Sequence, residues 1–349
     1  MTAHLHVDLD ALAANVSRVR DTVSPAELML VVKDDAYGHG LEPVVRAAAA
    51  AGVTWFGAFD VRTGCAVRAA VGDDARIFAW IAASREDLDH AVAARIDLGI
   101  GDADLLEELA DAARDARAAV RVHLKIDTGL HRNGVRPEHW PAFVARAAAL
   151  QAERVIDVVG VWSHIAEASD AEDDDARQVY EWALEQAATA GLHPEMRHLA
   201  ASAAAFARPQ FRYDMVRVGA FCYGIRSAGG PSADDLGLRP IGTLTAEVVE
   251  VGEDVARIDL GALHGLPSSL QQRASVGTPA GSRSLAAVGA SDSRVVAWSG
   301  ASVGDIVTVY GPGGAGESTA TDLAEIIGTI GEEIALRVSP LVERRYTRR

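Results

Sequence analysis

The segment LMLVVKDDAYGHG, residues 28–40, shows the pattern that decides the fold: a short apolar run ends in a polar residue and leads into a glycine-containing turn. Comparable β-branched or aromatic runs recur along the chain, separated by Ala-rich stretches with helical period. The runs lie at 28–33, 55–59, 76–81, 96–100, 120–127, 155–165, 196–201 and 215–225. Eight βα units in series predict a closed (β/α)8 TIM-type barrel.

The composition changes after Gly229, where a Gly/Pro/Ser/Asp-rich linker leads into short β-like runs separated by glycine-rich turns. These runs predict a smaller, mostly-β domain. We therefore expect a barrel domain over residues 1–228 and a β domain over 238–349. Within the second domain, the polar stretch SSLQQRASVGTPAGSRS reads as a mobile loop, and YGPGGAGE reads as a hairpin turn rather than a phosphate-binding loop, because it lacks the GK[ST] ending.

Charge and cysteine content exclude several classes of protein. The net charge of -16 argues against a nucleic-acid or anionic-membrane partner. The two cysteines, Cys65 and Cys222, are far apart and lack neighbours at metal-ligand spacing, so we expect neither a disulfide framework nor a metal site. With no apolar stretch of membrane-spanning length and no export signal, the sequence predicts a cytoplasmic protein.

Lysine is nearly absent from this chain. Of its 33 basic residues only Lys33 and Lys125 are lysines. A bias towards arginine explains the replacement of lysine at the surface, where either cation serves. It does not explain why two lysines remain. A lysine amine can be deprotonated, form a Schiff base or be carbamylated, whereas arginine stays charged. We therefore expect both lysines to serve amine chemistry.

Polar residues stand at the ends of the predicted strands, where barrel enzymes place their reactive side chains. Singly, they have ordinary structural explanations: His164 as a core histidine, Ser202 as a helix cap and Arg217 as a surface cation. Together they predict one site at the mouth of the barrel. A barrel hydrolase using Asp127 and His164 is an alternative, but it leaves the two lysines unexplained. The strand-end residues are Lys33, Lys125, Asp127, Ser163, His164, Ser202, Arg217 and Gly219.

Several segments together resemble the fold-type III pyridoxal-phosphate enzymes, and specifically the alanine racemase family. Their order and spacing are similar to those of the family, and they cover the whole predicted barrel. The segments are VVKDDAYGHG, VHLKIDTGLHRNGV, GVWSHIAEASD, HLAASAAA and MVRVGAFCYGI. The resemblance implies a pyridoxal 5'-phosphate cofactor, an amino-acid substrate, isomerase activity and a homodimer.

The same resemblance implies a role for each matching residue. Lys33 would carry the cofactor as a Schiff base and act as a catalytic base. Arg217 would pair with the pyridine nitrogen and leave it unprotonated, which favours simple proton transfer. The other implied roles are cofactor phosphate binding by Tyr37, Ser202, Gly219 and Ala220, contact with the cofactor ring by His164, contact with cofactor and substrate by Arg132, and carbamylation of Lys125.

The resemblance fails in the second domain. Racemisation needs a base on each face of the substrate Cα, and in the family the second base is a tyrosine that the β domain contributes to the partner subunit. The segment expected to carry it is deleted here, and a family GYADG motif reads Gly261-Ala262-Leu263-His264-Gly265. The substrate-entrance MD pair is also missing, and a C-terminal tyrosine aligns with Glu332.

Three interpretations follow from these losses. In the first interpretation, the protein is an alanine racemase-type enzyme in which another group, such as His264 or Tyr310, replaces the tyrosine. Alternatively, it is a pyridoxal-phosphate epimerase, decarboxylase or aldolase acting on a larger amino acid. In the third interpretation, the protein binds the cofactor without catalysing a reaction.

Overall fold

The computed structural model describes residues 2–167 and 169–348. Its strands are β1 (His4–Asp8), β2 (Glu27–Val31), β3 (Trp55–Asp60), β4 (Arg76–Ile81), β5 (Asp97–Ile100), β6 (Val120–Lys125), β7 (Ile156–Trp162), β8 (Met196–His198), β9 (Met215–Val218), β10 (Gly242–Val251), β11 (Val255–Ile258), β12 (Ser275–Thr278), β13 (Gly281–Val288), β14 (Ser293–Val296), β15 (Ile306–Tyr310) and β16 (Glu343–Thr347). Its helical segments are α1 (Leu9–Val23), α2 (Lys33–Tyr37), α3 (Leu41–Ala50), α4 (Val61–Val71), α5 (Arg85–Ala93), α6 (Ala103–Ala116), α7 (Trp140–Ala152), α8 (Asp170–Thr189), α9 (Ser202–Ala207), α10 (Ala233–Leu236), α11 (Ala320–Ile327) and α12 (Gly331–Leu336).

The chain divides into two compact units. Residues 19–33 and 52–219 form the barrel unit, and residues up to 18, 34–51 and from 220 onward form the sheet unit. In the barrel unit, β2 to β9 follow one another around a closed barrel, in which β9 returns to pair in parallel with β2. The eight-stranded barrel predicted from the sequence is confirmed. None of the helices within the described residues is long and apolar enough to cross a membrane.

An aromatic and sulfur-rich cluster fills the barrel core. It contains Met29, Trp55, Phe78, Trp162 and Met215, each at most 4% exposed. Strands of a parallel barrel are buried on both faces, which explains why they appear in the sequence as continuous apolar runs without a polar alternation.

The chain turns sharply where the first barrel strand ends. We expected this strand to run to Lys33, but β2 ends at Val31. Segment α2 then forms a single left-handed turn, with φ of 54° at Asp34, Asp35 and Ala36 and 55° at Tyr37. For L-residues this conformation costs about 1–2 kcal/mol each. The surrounding structure must therefore stabilise the turn that follows Lys33.

The sheet unit is built on eight strands in the order β11-β14-β13-β12-β15-β10-β1-β16, and β11 also pairs with β10. Strand β1 is antiparallel to β10 and parallel to β16. This grouping differs from the expected barrel domain of 1–228, which included β1. The alternation of half-buried His4 and His6 with buried Leu5 and Val7 is the pattern of a strand with one covered face.

The polar stretch from Ser268 to Ser284 is ordered, so the expectation of a mobile loop was wrong. It supplies β12 and the first part of β13, which pair antiparallel from Ser275 opposite Ser284 to Thr278 opposite Gly281. Small polar side chains hid this hairpin in the sequence, because a strand of Ser, Gly and Thr lacks the usual β-branched and aromatic signal.

The glycine-rich loop near the C-terminus binds a carboxylate from within the same chain. Glu317 accepts backbone hydrogen bonds from Gly313 at 2.8 Å, Gly314 at 3.1 Å and Ala315 at 2.7 Å. A nest of backbone N–H groups is a typical anion site. Because Glu317 fills this nest, the loop has no free amides for a phosphate.

Candidate active site

Lysine and arginine side chains gather at the C-terminal mouth of the barrel, although the chain as a whole is strongly acidic. Lys33 lies two residues beyond β2, Lys125 is the last residue of β6, and Arg217 lies within β9. His164 follows β7 by two residues. These are the positions at which barrel enzymes carry their reactive groups.

Arg217 lies in the barrel interior between two backbone carbonyls and two imidazole nitrogens. Its Nη2 donates to the carbonyls of Ser163 at 2.7 Å and Leu199 at 2.9 Å, and it lies 3.2 Å from Nδ1 of His164. Its Nη1 lies 3.1 Å from Nδ1 of His198. Burial lowers the pKa of Arg217 to about 10, so the guanidinium remains charged at neutral pH. It is not the surface cation that the sequence allowed.

His164 is a neutral imidazole among cations. Burial lowers its pKa to about 3, and four positive charges act in the same direction: Arg217, Arg132, Lys125 and Lys33. A ring in this environment stays unprotonated across the physiological range.

Lys125 is buried against an aromatic ring. Its Nζ lies 4.4 Å from the centroid of the Trp162 ring. Burial, together with the charges of Arg217 and Arg132, lowers the pKa of Lys125 to about 8. A substantial fraction of this amine is therefore neutral near pH 7 to 8, which is the state that carbamylation requires. Arg132 itself is exposed in the loop after β6.

Asp127 binds its own loop rather than His164. Its Oδ1 accepts from the backbone N–H groups of Gly129 and His131, and its Oδ2 lies 2.9 Å from Nδ1 of His131. Nδ1 of His164 faces Arg217 instead. Asp127 and His164 therefore form no pair within the described residues, which removes the basis for the hydrolase alternative.

The remaining predicted site residues are divided between the two units. Ser202 is the first residue of α9, whose cap position is Ala201, so Ser202 does not cap this helix. Gly219 follows β9 and is the last residue of the barrel unit. Tyr37 and Ala220 are buried within the sheet unit, where the Tyr37 ring lies 4.8 Å from that of Tyr223.

Comparison with known proteins decides the family. The profile described as "Alanine racemase, N-terminal domain" matches residues 7–227. The chain belongs to the alanine racemase family.

The similarity to alanine racemases extends over the whole chain. The alanine racemase of Thermobifida fusca (strain YX) is 38% identical over 370 residues, covering 99% of this chain and 98% of that protein. The alanine racemase of Beutenbergia cavernae is 39% identical over 363 residues, with coverages of 97% and 96%. The crystal structure of alanine racemase from Streptomyces lavendulae superposes with a TM-score of 0.94 at 32% identity, covering 100% of this chain and 98% of that one.

Alanine racemases depend on pyridoxal 5'-phosphate, and the side chains at this barrel mouth fit that group. The cofactor carries a phosphate and an aldehyde, and its substrate carries a carboxylate. The mouth offers the amine of Lys33, the hydroxyl of Ser202 and the cationic groups around His164. Such an excess of positive charge is chemically suited to anionic ligands.

The turn between β10 and β11 in the sheet unit is short. Strands β10 and β11 pair antiparallel, and only residues 252–254 join them. It lies near the place where the sequence predicts the deletion of the family's tyrosine segment. Tyr310, one proposed replacement, is enclosed in the sheet unit, and its hydroxyl has no hydrogen-bond partner among the described residues.

His264, the other proposed replacement, is also buried. Its Nδ1 accepts the backbone N–H of Gly261 at 2.9 Å. The ring proton of the neutral imidazole therefore sits on Nε2. In this state Nε2 can donate a proton but cannot accept one.

Sequence reasoning missed two buried histidines inside the barrel. Nδ1 of His123 lies 2.8 Å from Nε2 of His198, and His198 in turn contacts Arg217. A signal was present in the sequence: His123 stands two residues before Lys125, so both side chains lie on the same face of β6.

Proposed function

We propose that this protein is a pyridoxal-phosphate-dependent amino-acid racemase, acting on alanine or a related amino acid. The observation that carries the proposal is the neutral imidazole of His164 surrounded by two lysines and two arginines at the mouth of an alanine racemase-type barrel. Such a site suits an anionic cofactor and proton transfer, and the two lysines provide the amine chemistry.

The proposed roles follow the chemistry of the side chains. When bound, the cofactor withdraws electrons from the substrate and so acidifies its Cα–H. Lys33 would hold the cofactor covalently, and its amine would carry the proton on one face of Cα. Arg217, held by His164 and by two carbonyls, binds the ring nitrogen. Ser202 and the backbone of Gly219 would bind the phosphate, a role that the family resemblance also implies for Tyr37 and Ala220.

Arg132 and Lys125 act together in this proposal. The exposed guanidinium of Arg132 binds the substrate carboxylate, as a planar fork of donors does well. The pKa of Lys125 is lowered to about 8, and its neutral amine would add to carbon dioxide and release one proton to solvent, which gives a carbamate. The change replaces a cation by an anion beside Arg132 and Arg217, which relieves their mutual repulsion and orients Arg132.

We assign the second face of the substrate to His131. The Asp127 carboxylate only accepts hydrogen bonds, so the 2.9 Å contact places a proton on Nδ1 of His131. In the neutral form of this ring, the lone pair lies on Nε2, where it can act as a base. The side chain is 58% exposed and directly precedes Arg132. Its left-handed backbone, with φ of 54°, costs energy that a functional role would justify.

We also propose a homodimer, assembled through the sheet unit. Leu263 and Leu341 are 65% and 64% exposed. Their loops are adjacent, because the His264 carbonyl accepts the N–H of Ser339, and Ser339 in turn binds Leu341. Burial of such side chains would stabilise an interface between two copies. Light scattering should give twice the chain mass of 36.7 kDa, and a monomer would remove this part of the proposal.

The short turn between β10 and β11 favours one further candidate function. Without the expected tyrosine segment, the site can admit a larger amino acid and carry out epimerisation, decarboxylation or aldol cleavage. Incubating the loaded protein with a panel of L- and D-amino acids in D2O distinguishes these functions. Deuterium at Cα with inversion supports a racemase or epimerase, whereas loss of carboxylate or Cα–Cβ cleavage supports the alternative. No reaction with any substrate would favour a cofactor-binding protein without catalysis.

A further inference from the structure

A line of buried polar side chains runs through the barrel from Arg217 to the opposite end. His198, His123 and Asp97 are each fully buried. The distances are 3.1 Å from Nη1 of Arg217 to Nδ1 of His198, 2.8 Å from Nε2 of His198 to Nδ1 of His123, and 3.6 Å from Nε2 of His123 to Oδ2 of Asp97.

The two ends of this line fix the protons between them. Arginine has only donors, so Nδ1 of His198 must accept, and the proton of His198 must sit on Nε2. Nε2 of His198 then donates to Nδ1 of His123, so the proton of His123 also sits on Nε2. Nε2 of His123 lies 3.6 Å from the Asp97 carboxylate, which is too far for a hydrogen bond, so the carboxylate attracts this N–H by its charge. All the N–H groups therefore point from Arg217 towards Asp97.

Two arginines hold Asp97 at the N-terminal end of the barrel strands. Asp97 begins β5, Arg76 begins β4, and Arg121 is the second residue of β6. Nη2 of Arg76 lies 2.5 Å and Nε of Arg121 lies 2.6 Å from the Asp97 carboxylate. Burial alone would raise the pKa of Asp97, but His123 and these arginines outweigh it and lower the pKa. The carboxylate is therefore ionised at neutral pH.

The barrel core keeps water away from this line. The His198 ring stacks on Trp162, with centroids 5.8 Å apart and planes within 6°, and Phe78 lies 4.7 Å from the His123 ring. Gly160 leaves room for His123, since a Cβ there would lie 2.0 Å from its Nδ1. In such a dry environment, hydrogen bonds are stronger and polarise one another.

We propose that His123 and His198 form a one-way hydrogen-bond relay, oriented by the nearby charge of Asp97, that holds Arg217 as an oriented donor towards the ring nitrogen of the cofactor. The role of the relay in cofactor binding rests on the proposed function, whereas the positions of its protons do not. Asp97, His123 and His198 touch neither cofactor nor substrate, so they are positioning residues that act through Arg217.

The relay itself is tested by 15N NMR of the full-length protein labelled at histidine. His123 and His198 should both show the neutral Nε2–H form, assigned by their loss in His123→Leu and His198→Leu variants. A proton on Nδ1 of either ring in the wild-type protein would overturn the relay. This result does not depend on the cofactor, so failure of the relay and failure of the proposed function can be told apart.

The consequence for Arg217 is tested by binding of pyridoxal phosphate and by the visible absorbance of the loaded protein. Asp97→Asn keeps an acceptor but removes the charge, and His123→Leu breaks the line. Each should weaken cofactor binding about 10-fold or more, by analogy with outer-shell partners of metal ligands, and shift the visible band. Asp214→Asn is the matched control, because the Asp214 carboxylate accepts three hydrogen bonds from Arg197 and, among the described residues, none from Arg217.

The control variant should bind the cofactor with the wild-type affinity and spectrum. Circular dichroism checks that each variant is folded, and His123→Asn, which retains an acceptor for His198, should recover part of the affinity lost in His123→Leu. If folded Asp97→Asn and His123→Leu proteins match the Asp214→Asn control in affinity and spectrum, the proposal is wrong.

Discussion

Nη2 of Arg217 lies 3.2 Å from Nδ1 of His164, and this contact fixes the state of the imidazole. Arginine cannot accept a hydrogen bond, so Nδ1 of His164 carries no proton and the ring is neutral. The lowered pKa of about 3 agrees with that assignment. A cation and a neutral imidazole thus stand side by side at the mouth of the barrel, a pairing suited to binding an electron-poor ring without adding negative charge.

Only one of the two lysines should bind the cofactor covalently. After borohydride reduction of the loaded protein, peptide mass mapping should place the cofactor on Lys33, and Lys33→Ala should lose both this adduct and the visible band. Lys125→Ala is the matched control, because it removes the only other lysine of the chain. An adduct on Lys125, or a visible band that persists in Lys33→Ala, would contradict the assignment.

Carbamylation of Lys125 predicts a carbon signal of its own. With 13C-bicarbonate, the wild-type protein should show a carbamate resonance in 13C NMR, because a pKa of about 8 leaves neutral amine to react. Lys125→Arg should lack the resonance, retain the cofactor and turn over more slowly. Wild-type turnover in Lys125→Arg would remove Lys125 from the mechanism.

The hydroxyl of Tyr310 should have no catalytic role. It is buried and without a hydrogen-bond partner among the described residues. Tyr310→Phe should therefore keep wild-type activity and raise the free energy of unfolding by about 1 kcal/mol, because a buried unpaired hydroxyl is costly. In the matched variant Tyr180→Phe, a hydroxyl bonded to the Val161 carbonyl at 2.7 Å is lost, so stability should fall by about 1 kcal/mol. Loss of activity in Tyr310→Phe would instead mark it as the second base.

His39 should make the protein less stable in mild acid. Burial lowers its pKa to about 4, while its Nδ1 contacts the Ala36 carbonyl at 3.0 Å. The unfolded chain binds a proton on His39 more readily than the folded protein does. The contribution of neutral His39 to the free energy of unfolding is therefore complete above the usual pKa of about 6.5 and declines as the pH falls towards 4. Between pH 7 and pH 5 the wild-type protein should lose about 2 kcal/mol relative to His39→Asn, which keeps a donor to Ala36 but does not titrate. Denaturation curves of equal pH dependence would refute this.

The barrel was predictable because its strands are continuous apolar runs, and the site because its residues follow those runs. The units were less predictable, because β1 is only five residues long and its place in the sheet unit follows from its pairing with β10 and β16, which are far away in the sequence. The left-handed conformation of residues 34–37 could not be foreseen, since none of these four residues is a glycine. Likewise, only the structure shows that Asp127 binds His131 rather than His164.

The proposed role of His131 predicts different effects on exchange of the Cα proton and on inversion at Cα. If Lys33 serves one face and His131 the other, His131→Gln should still exchange the Cα proton with solvent but invert the substrate far more slowly, because only the second proton carrier is missing. His139→Gln is the control, since this nearby histidine lies outside the proposed site. Unchanged inversion in His131→Gln would require another group on the second face.

The most direct test follows the Cα proton of L-alanine, and of the related amino acids, in D2O by proton NMR, with chiral chromatography on the same samples. The loaded wild-type protein should replace the Cα proton by deuterium and form the D-enantiomer, and Lys33→Ala should do neither. Exchange with full retention of configuration would leave Lys33 as the base of one face alone and would contradict racemisation. Absence of exchange with every substrate, in a protein that carries the cofactor on Lys33, would contradict the catalytic role itself.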